Sequence, residues 1–260
     1  MYIQVFEYIE TYFLLLVRIT GIFTSAPVIG AESVPAQLRI MTALVLSMLL
    51  MPAEISSRGA VQIPPQTYIF ALIVVKEILL GLLLGFVASF VIEGVKLAGE
   101  LMGIQIGFAM VSVIDPESQQ EESITGSFNY LIFTLIFLMI NGHHLIIEAL
   151  NQSLRIVPLG LIYYNGNFVS EIFDRAPEFF TIGVKIAAPI VVPLIMLSVV
   201  LGIISRAVPR LEVFLISFPL NILVSFMIII YYMDDLVKYF IYLIHSNIFD
   251  ELIRILYLLK

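Results

Sequence analysis

The sequence contains no cysteine, and only 13% of its 260 residues are charged. The lack of cysteine excludes disulfide bonds and thiolate metal sites. Its 13 lysines and arginines form no cluster, and the net charge is −7, so neither nucleic acid nor an anionic lipid surface is an attractive partner. The sequence has no phosphate-binding loop, no nucleophile elbow and no paired intramembrane aspartates. It therefore predicts no enzyme and no cofactor.

Apolar residues are abundant. They make up 60% of the chain, and the mean hydropathy is +1.05, far above the values of soluble domains. A transmembrane helix needs about 20 mostly apolar residues, and several stretches of this length are present. No linker is long or polar enough to separate domains. The sequence predicts an all-α, polytopic membrane protein with a single domain over residues 1–260.

The hydrophobic blocks are uneven in length. Residues 40–51 form a block of 12 residues, about 18 Å as a helix and too short for a bilayer. Residues 211–244 form a block of about 51 Å, which Pro219 interrupts near its start. Lysine and arginine are distributed over the loops without a clear bias, so the orientation is not predicted. These features favour tilted, kinked helices over a set of equal upright ones.

Four charged residues, Arg18, Lys76, Glu77 and Lys185, lie within hydrophobic blocks. A charge at a helix centre costs about 2.5–3.5 kcal/mol on insertion scales, so such residues rarely face lipid. One interpretation is burial against partner subunits or a polar channel; the other is an internal ion pair, for example between Lys76 and Glu77. Adjacent helical residues point about 100° apart, which favours partner or channel burial.

Glycines recur at intervals of four, at Gly99, Gly103 and Gly107 and again at Gly81 and Gly85. This spacing places them in one stripe of a helix, where another backbone can approach closely. The stripe is equally consistent with a contact to a partner and with internal helix packing. Apolar sequences often contain the pattern, so alone it is weakly specific.

An acidic segment follows the glycine stripe. Residues 115–122 contain four acidic residues and no basic one. Pro116 disfavours a helical conformation at Asp115, so an irregular loop is predicted between two apolar segments. The loop is either an ordinary solvated connection or, since Gly107 and Gly126 flank it, a segment that can move or fold inwards.

His143, His144 and Glu148 suggest a metal site, because His144 and Glu148 are one turn apart on a helix. Zinc would require a third and usually a fourth ligand, and no Cys/His framework or HExxH motif exists. The two histidines are better explained as the end of a hydrophobic helix near Asn141. No metal site is predicted.

Short motifs occur along nearly the whole chain, at residues 18–21, 26–30, 34–35, 99–108, 114–120, 141–144, 206–214 and 218–220. Taken in this order, they resemble the FliR family, whose relatives in virulence systems form the corresponding subunit of the injectisome export apparatus. No single motif is specific, but their order and spacing together are. The run at residues 115–120 is more similar to the flagellar form.

The resemblance implies a structural and gating subunit that combines with several copies of FliP and FliQ. Together they form a helical export gate around the path of unfolded flagellar proteins. It also implies FlhB and FlhA as partners, and a place in the bacterial inner membrane within the flagellar basal body. A small-solute transporter or channel is the alternative, because it would also bury charges at the membrane midplane. No convincing internal repeat supports that alternative.

The same resemblance places a plug loop, which closes the pore before secretion, at about residues 107–122. Its implied role is a steric seal, with no chemistry assigned to any side chain. The residues expected to form this gate are Gly107, Phe108, Met110, Asp115, Pro116, Glu117, Gln119 and Gln120.

Overall fold

The computed structural model describes residues 2–31, 33–61, 66–108, 123–161, 177–208 and 213–258. Within these ranges all regular structure is helical, so the all-α prediction is confirmed. A π-helical segment, Leu243–Phe249, joins the last two α-helices. The α-helices are α1 (Tyr2–Ser25), α2 (Ala36–Arg58), α3 (Thr67–Ile106), α4 (Ile124–Met139), α5 (Gly142–Ile156), α6 (Pro177–Ala207), α7 (Val213–Tyr242) and α8 (Asp250–Leu258).

Four helical stretches of the described residues are long and apolar enough to cross a membrane: Ala36–Arg58, Thr67–Ile106, Pro177–Ala207 and Leu215–Leu258. The broken pair α4 and α5 supplies a fifth if it counts as one span. The prediction of a polytopic membrane protein is therefore confirmed. Helix α3 has 40 residues, or about 60 Å, twice the thickness of the hydrocarbon core. Helices of such unequal length cannot all stand upright within the bilayer.

Two expectations about helix length were wrong. The short block at residues 40–51 lies inside α2, which has 23 residues and continues through Pro52. Pro219 likewise lies inside α7 and does not end it. Hydropathy counts only apolar residues, whereas a helix also continues through flanking polar residues. A proline removes one backbone hydrogen bond and bends a helix without always terminating it.

The chain divides into two compact units. The first comprises Met1–Phe90, Asn141–Asp174 and Ile244–Lys260, and the second comprises Val91–Ile140 and Arg175–Leu243. In the first unit, α1 packs against α2 and α5 packs against α8. In the second unit, α7 packs against both α4 and α6. The single-domain organisation stays a prediction.

Within the first unit, α1 and α3 approach each other at glycines. A Cβ atom on Gly81 would overlap the carbonyl oxygen of Arg18, and one on Gly85 would overlap Ser25 Oγ. Ser25 Oγ also donates a hydrogen bond of 2.8 Å to the carbonyl oxygen of Leu82. Only a residue without a side chain allows this backbone contact. The small-residue repeat at positions 81 and 85 therefore packs one helix of the chain against another.

The close approach places a buried ion pair between the two helices. Arg18 Nε lies 2.6 Å from Glu77 Oε2, and both side chains are fully buried. Arg18 Nη1 donates to the carbonyl oxygens of Ser153, at 3.3 Å, and Val157, at 2.8 Å. The backbone N–H of Gly160 donates to Glu77 Oε1 over 2.8 Å. This charge cluster thus joins α1, α3 and the end of α5.

The position of Arg18 at the end of α5 has an electrostatic reason. The last carbonyl groups of a helix have no partner within the helix and carry a partial negative charge. The guanidinium group supplies donors and positive charge at that point, while Glu77 neutralises it. Removing one member of a buried ion pair leaves the other charge uncompensated, which costs about 3–5 kcal/mol.

Glu77→Gln should therefore destabilise the purified protein in detergent by about 3–5 kcal/mol, measured by thermal or denaturant unfolding. The matched control is Glu93→Gln on the same helix. Glu93 is half-exposed and lies 3.5 Å from Lys96, an arrangement that contributes less than about 1 kcal/mol.

A double variant, Arg18→Gln with Glu77→Gln, should be less destabilised than the sum of the two single variants, because no unpaired charge is left behind. Equal unfolding of Glu77→Gln and Glu93→Gln would show that the charge cluster does not hold the first unit together.

Candidate functional site

The predicted loop begins where α3 ends, and a glycine determines that end. Gly107 has a φ of +104°, a conformation that side chains rarely adopt. The N–H groups of Gly107 and Phe108 both donate to the carbonyl oxygen of Gly103, at 3.1 and 3.0 Å. The bond from Phe108 is typical of the Schellman motif, which terminates helices at a glycine. The chain therefore leaves α3 at a fixed residue.

The same glycine lies against α7. A Cβ atom on Gly107 would stand 3.0 Å from Cδ2 of Phe218, closer than ordinary van der Waals contact. Phe218 directly precedes Pro219 within α7. The start of the loop is thus held by its backbone conformation and by an aromatic side chain from a neighbouring helix.

The loop returns to the last turns of α3 through two hydroxyl residues. Ser123 precedes α4, and its Oγ lies 2.7 Å from Thr125 Oγ1. Thr125 Oγ1 donates to the carbonyl oxygen of Gly99 over 2.6 Å, with Thr125 buried. A Cβ atom on Gly103 would overlap Ser123 Oγ, and one on Gly99 would overlap Gly126 Cα. Because Gly99 and Gly103 carry no side chains, the beginning of α4 can pack closely against α3.

The described residues on either side of positions 109–122 therefore lie at one place. Phe108 precedes these positions and Ser123 follows them, and both contact the same turn of α3, at Gly103. The two ends of the loop are fixed by close packing, by a helix-ending motif and by hydroxyl hydrogen bonds. We name this set of contacts the loop anchor; it consists of Gly99, Gly103, Gly107, Ser123, Thr125 and Phe218.

Two of the predicted gate residues belong to the described chain: Gly107 at the end of α3 and the half-buried Phe108 after it. The structure brings both to the loop anchor. The remaining predicted gate residues lie outside the described residues; they are Met110, Asp115, Pro116, Glu117, Gln119 and Gln120.

For the glycine stripe, the chain itself supplies the neighbouring backbone. Gly99 and Gly103 contact the start of α4, and Gly107 contacts α7. In the structure these glycines pack against other helices of the same chain, and a contact of the stripe with a partner stays a prediction. Ser123, Thr125 and Phe218 were not among the site residues predicted from the sequence. The hydroxyl residues beside Gly126, directly after the acidic segment, were the available signal for two of them.

The four charged residues of the apolar blocks fall into two groups. Arg18 and Glu77 are buried in one ion pair, so the internal interpretation holds for them, with Arg18 in the place suggested for Lys76. Their surroundings come from the chain and not from a partner. Lys76 and Lys185 are exposed on the chain. Burial against a partner stays a prediction for these two lysines.

His143 and His144 open helix α5 after Asn141, which adopts a left-handed conformation with a φ of 58°. Their rings lie 4.4 Å apart. Within the ranges that the structure describes, no three histidine or acidic side chains are grouped to hold a metal ion. The break at Asn141 separates α4 from α5, although the apolar block at residues 127–150 is continuous in the sequence.

Comparisons with known proteins identify the group to which this architecture belongs. The chain is 29% identical to the flagellar biosynthetic protein FliR of Bacillus subtilis (strain 168) over 256 residues, covering 95% of this chain and 93% of that protein. It is 28% identical to FliR of Escherichia coli (strain K12) over 222 residues, covering 85% and 84% of the two chains. FliR of Aquifex aeolicus (strain VF5) is also 28% identical, over 228 residues, with 86% and 85% covered.

The family model of the bacterial export proteins, family 1, matches residues 9–246. This match includes most of α1, all of α2 to α7, and thus both the charge cluster and the loop anchor. The chain is a member of the bacterial export proteins, family 1.

Proposed function

We propose that the chain is a structural and gating subunit of the flagellar protein export apparatus, in the bacterial inner membrane within the basal body. The family match over residues 9–246 supports the export role, and relatives named flagellar biosynthetic protein FliR support the flagellar assignment. The membrane-spanning helices support the location. We propose no catalytic activity, since these relatives are named for biosynthesis of the flagellum.

The proposed partners are FliP and FliQ in a hetero-oligomeric gate, with FlhB, FlhA and unfolded export substrates. Large apolar side chains remain exposed along the spans, such as Met48 at 72% in α2 and Ile230 at 75% in α7. Either lipid or helices of partner subunits can cover apolar surfaces of this kind. The assembled gate, with this chain as one domain within it, belongs to the same proposal.

The loop anchor is the observation that carries the gating role. Phe108 and Ser123 contact one turn of α3, so residues 109–122 begin and end at a fixed place. A plug requires such an attachment, because a displaced obstruction must return to the same position. In this proposal residues 109–122 obstruct the conduit, and their displacement opens it while the anchor remains packed.

The alternative of a small-solute transporter gains nothing from the comparisons, because the relatives are flagellar biosynthetic proteins. Its discriminating property is transport of a solute by the chain without partners. The proposed gate subunit conducts only as part of an assembly.

Deleting residues 111–119 should leave the complex assembled but permeable to ions and small solutes. Five residues then remain between Phe108 and Ser123, and they can span up to about 16–18 Å. The two ends flank one turn of α3, so this length is sufficient. The measurement is dye uptake and growth at high ionic strength, with co-purification of FliP and FliQ as proof of assembly.

The matched control deletes residues 162–170, also nine residues between two helices, and should not increase permeability. Gly107→Asp should cause a weaker leak than the deletion, because it disturbs the exit of the loop without removing the obstruction. An assembled 111–119 deletion complex that is as tight as the wild type would contradict the gating role.

Gly103→Val should prevent assembly or strongly reduce motility. The new side chain would overlap Ser123 Oγ and stand within 2.5 Å of Thr125 Oγ1, displacing the return point of the loop. Such overpacking costs about 1–3 kcal/mol. The readouts are swimming in soft agar and the yield of purified complex.

The control for this variant is Gly202→Val. Gly202 is also helical, and apart from its chain neighbours and the backbone of its own helix no atom lies within 4 Å of a Cβ placed there. Both variants exchange the same residue types in a helix, so the effect of helix propensity cancels between them. A similar loss of motility in both variants would show that the packing at Gly103 is not the cause.

A further inference from the structure

The part of α3 that lies in the first unit has one face packed within that unit and one face exposed. Glu77, Leu80 and Leu84 are buried on the packed face. The other face carries exposed side chains at helical spacing: Leu72, Val75, Lys76, Leu79 and Phe86. We name this second set the Lys76 stripe. Apart from the single lysine, it is entirely apolar.

Lys76 has no hydrogen bond or ion pair with any residue in the described part of the chain. Its sequence neighbour Glu77 is not its ion-pair partner. One carboxylate oxygen of Glu77 binds Arg18, and the other accepts a hydrogen bond from the N–H group of Gly160. Arg18 and Glu77 neutralise each other, so no carboxylate among the described residues compensates the ammonium group of Lys76. It lies within a helix that is apolar enough to span a membrane.

The surroundings of Lys76 along its helix are apolar. Residues 68–75 are all apolar, and Lys76 lies about 13.5 Å along the helix from Thr67, the first residue of α3. A lysine side chain extends by about 6 Å when it snorkels, less than half of this distance. Charged residues within membrane segments pair with one another, bind backbone carbonyl groups or face a water-filled cavity, and of these a carboxylate is the acceptor that also neutralises an ammonium group.

We infer that the Lys76 stripe docks an apolar helix of a partner subunit that presents one aspartate or glutamate to Lys76. The inference rests on the proposed function in that it takes the partner to be a subunit of the same membrane assembly. It adds the contact face, the charge of the partner's residue and its apolar surroundings. The adjacent residues Lys76 and Glu77 then serve separate purposes, because Glu77 stabilises the first unit and Lys76 binds outside it.

The direct test is cross-linking in native membranes with dicyclohexylcarbodiimide, an apolar reagent that joins an amine to a carboxylate in contact with it. The expected product is an amide between Lys76 and an acidic residue in an apolar segment of another protein, identified by mass spectrometry. A cross-link to an acidic residue of this chain would overturn the inference. So would the absence of a cross-link combined with photo-cross-linking of the stripe to lipid alone.

Variants give a second readout. Lys76→Glu should reduce the recovery of the complex in mild detergent by at least about tenfold. The new glutamate would lie beside the acidic residue of the partner, and two negative charges in an apolar contact repel each other. Lys76→Arg keeps the charge and should retain most of the complex. Changing the cross-linked acidic residue of the partner to lysine should restore assembly of the Lys76→Glu variant. Normal assembly of Lys76→Glu would overturn the inference.

The matched control is Lys238→Glu. Lys238 is also an exposed lysine on an apolar helix, but Asp235 of the same chain lies 3.5 Å away. Its change should alter recovery by less than about twofold. A Lys76 cross-link to a protein outside the flagellar apparatus would refute the proposed function and keep the docking surface. Normal assembly of the Lys76→Glu variant with FliP and FliQ would support the proposed function and refute the docking surface.

Discussion

The first unit depends on the ion pair between Arg18 and Glu77. In an apolar interior each charge of the pair offsets the cost of burying the other. Replacing one of the two residues alone therefore leaves an uncompensated buried charge. Their contact of 2.6 Å requires that α1 and α3 approach closely, which the missing side chain at Gly81 permits. Nη1 of Arg18 then donates to the carbonyl groups at the end of α5. One electrostatic requirement thereby determines the packing of three segments that are distant in sequence.

The second unit uses the same small-residue packing without charge. Gly99 and Gly103 admit the start of α4, and Thr125 donates a hydrogen bond to the backbone of α3. In a membrane the hydrophobic effect does not drive one apolar helix onto another, so close backbone contact and hydrogen bonds between helices must do so. At the loop anchor this packing also fixes where residues 109–122 leave and return. A change confined to those residues need not move the helices that hold them.

Composition and hydropathy predicted the all-α membrane fold, because a bilayer demands long apolar segments with internally satisfied backbones. The bounds of the helices were less predictable. Hydropathy falls at Glu93, Lys96 and Glu100, yet α3 continues to Ile106, since glutamate and lysine are good helix formers. The partner of Arg18 was not predictable either, because Glu77 is 59 residues away and only tertiary packing brings them together. The glycine spacing indicated a contact face but not which helix would occupy it.

The two neighbouring charges on α3 show how one helix serves both folding and association. Successive residues of an α-helix point about 100° apart, so Lys76 and Glu77 cannot face the same neighbour. Glu77 faces Arg18 within the chain, and Lys76 therefore lies on the exposed apolar side of the helix. An internal ion pair between these two residues would have satisfied both charges and left the exposed face uniformly apolar. Because Arg18 takes the carboxylate instead, Lys76 is left exposed and has no ion pair with any residue that the structure describes.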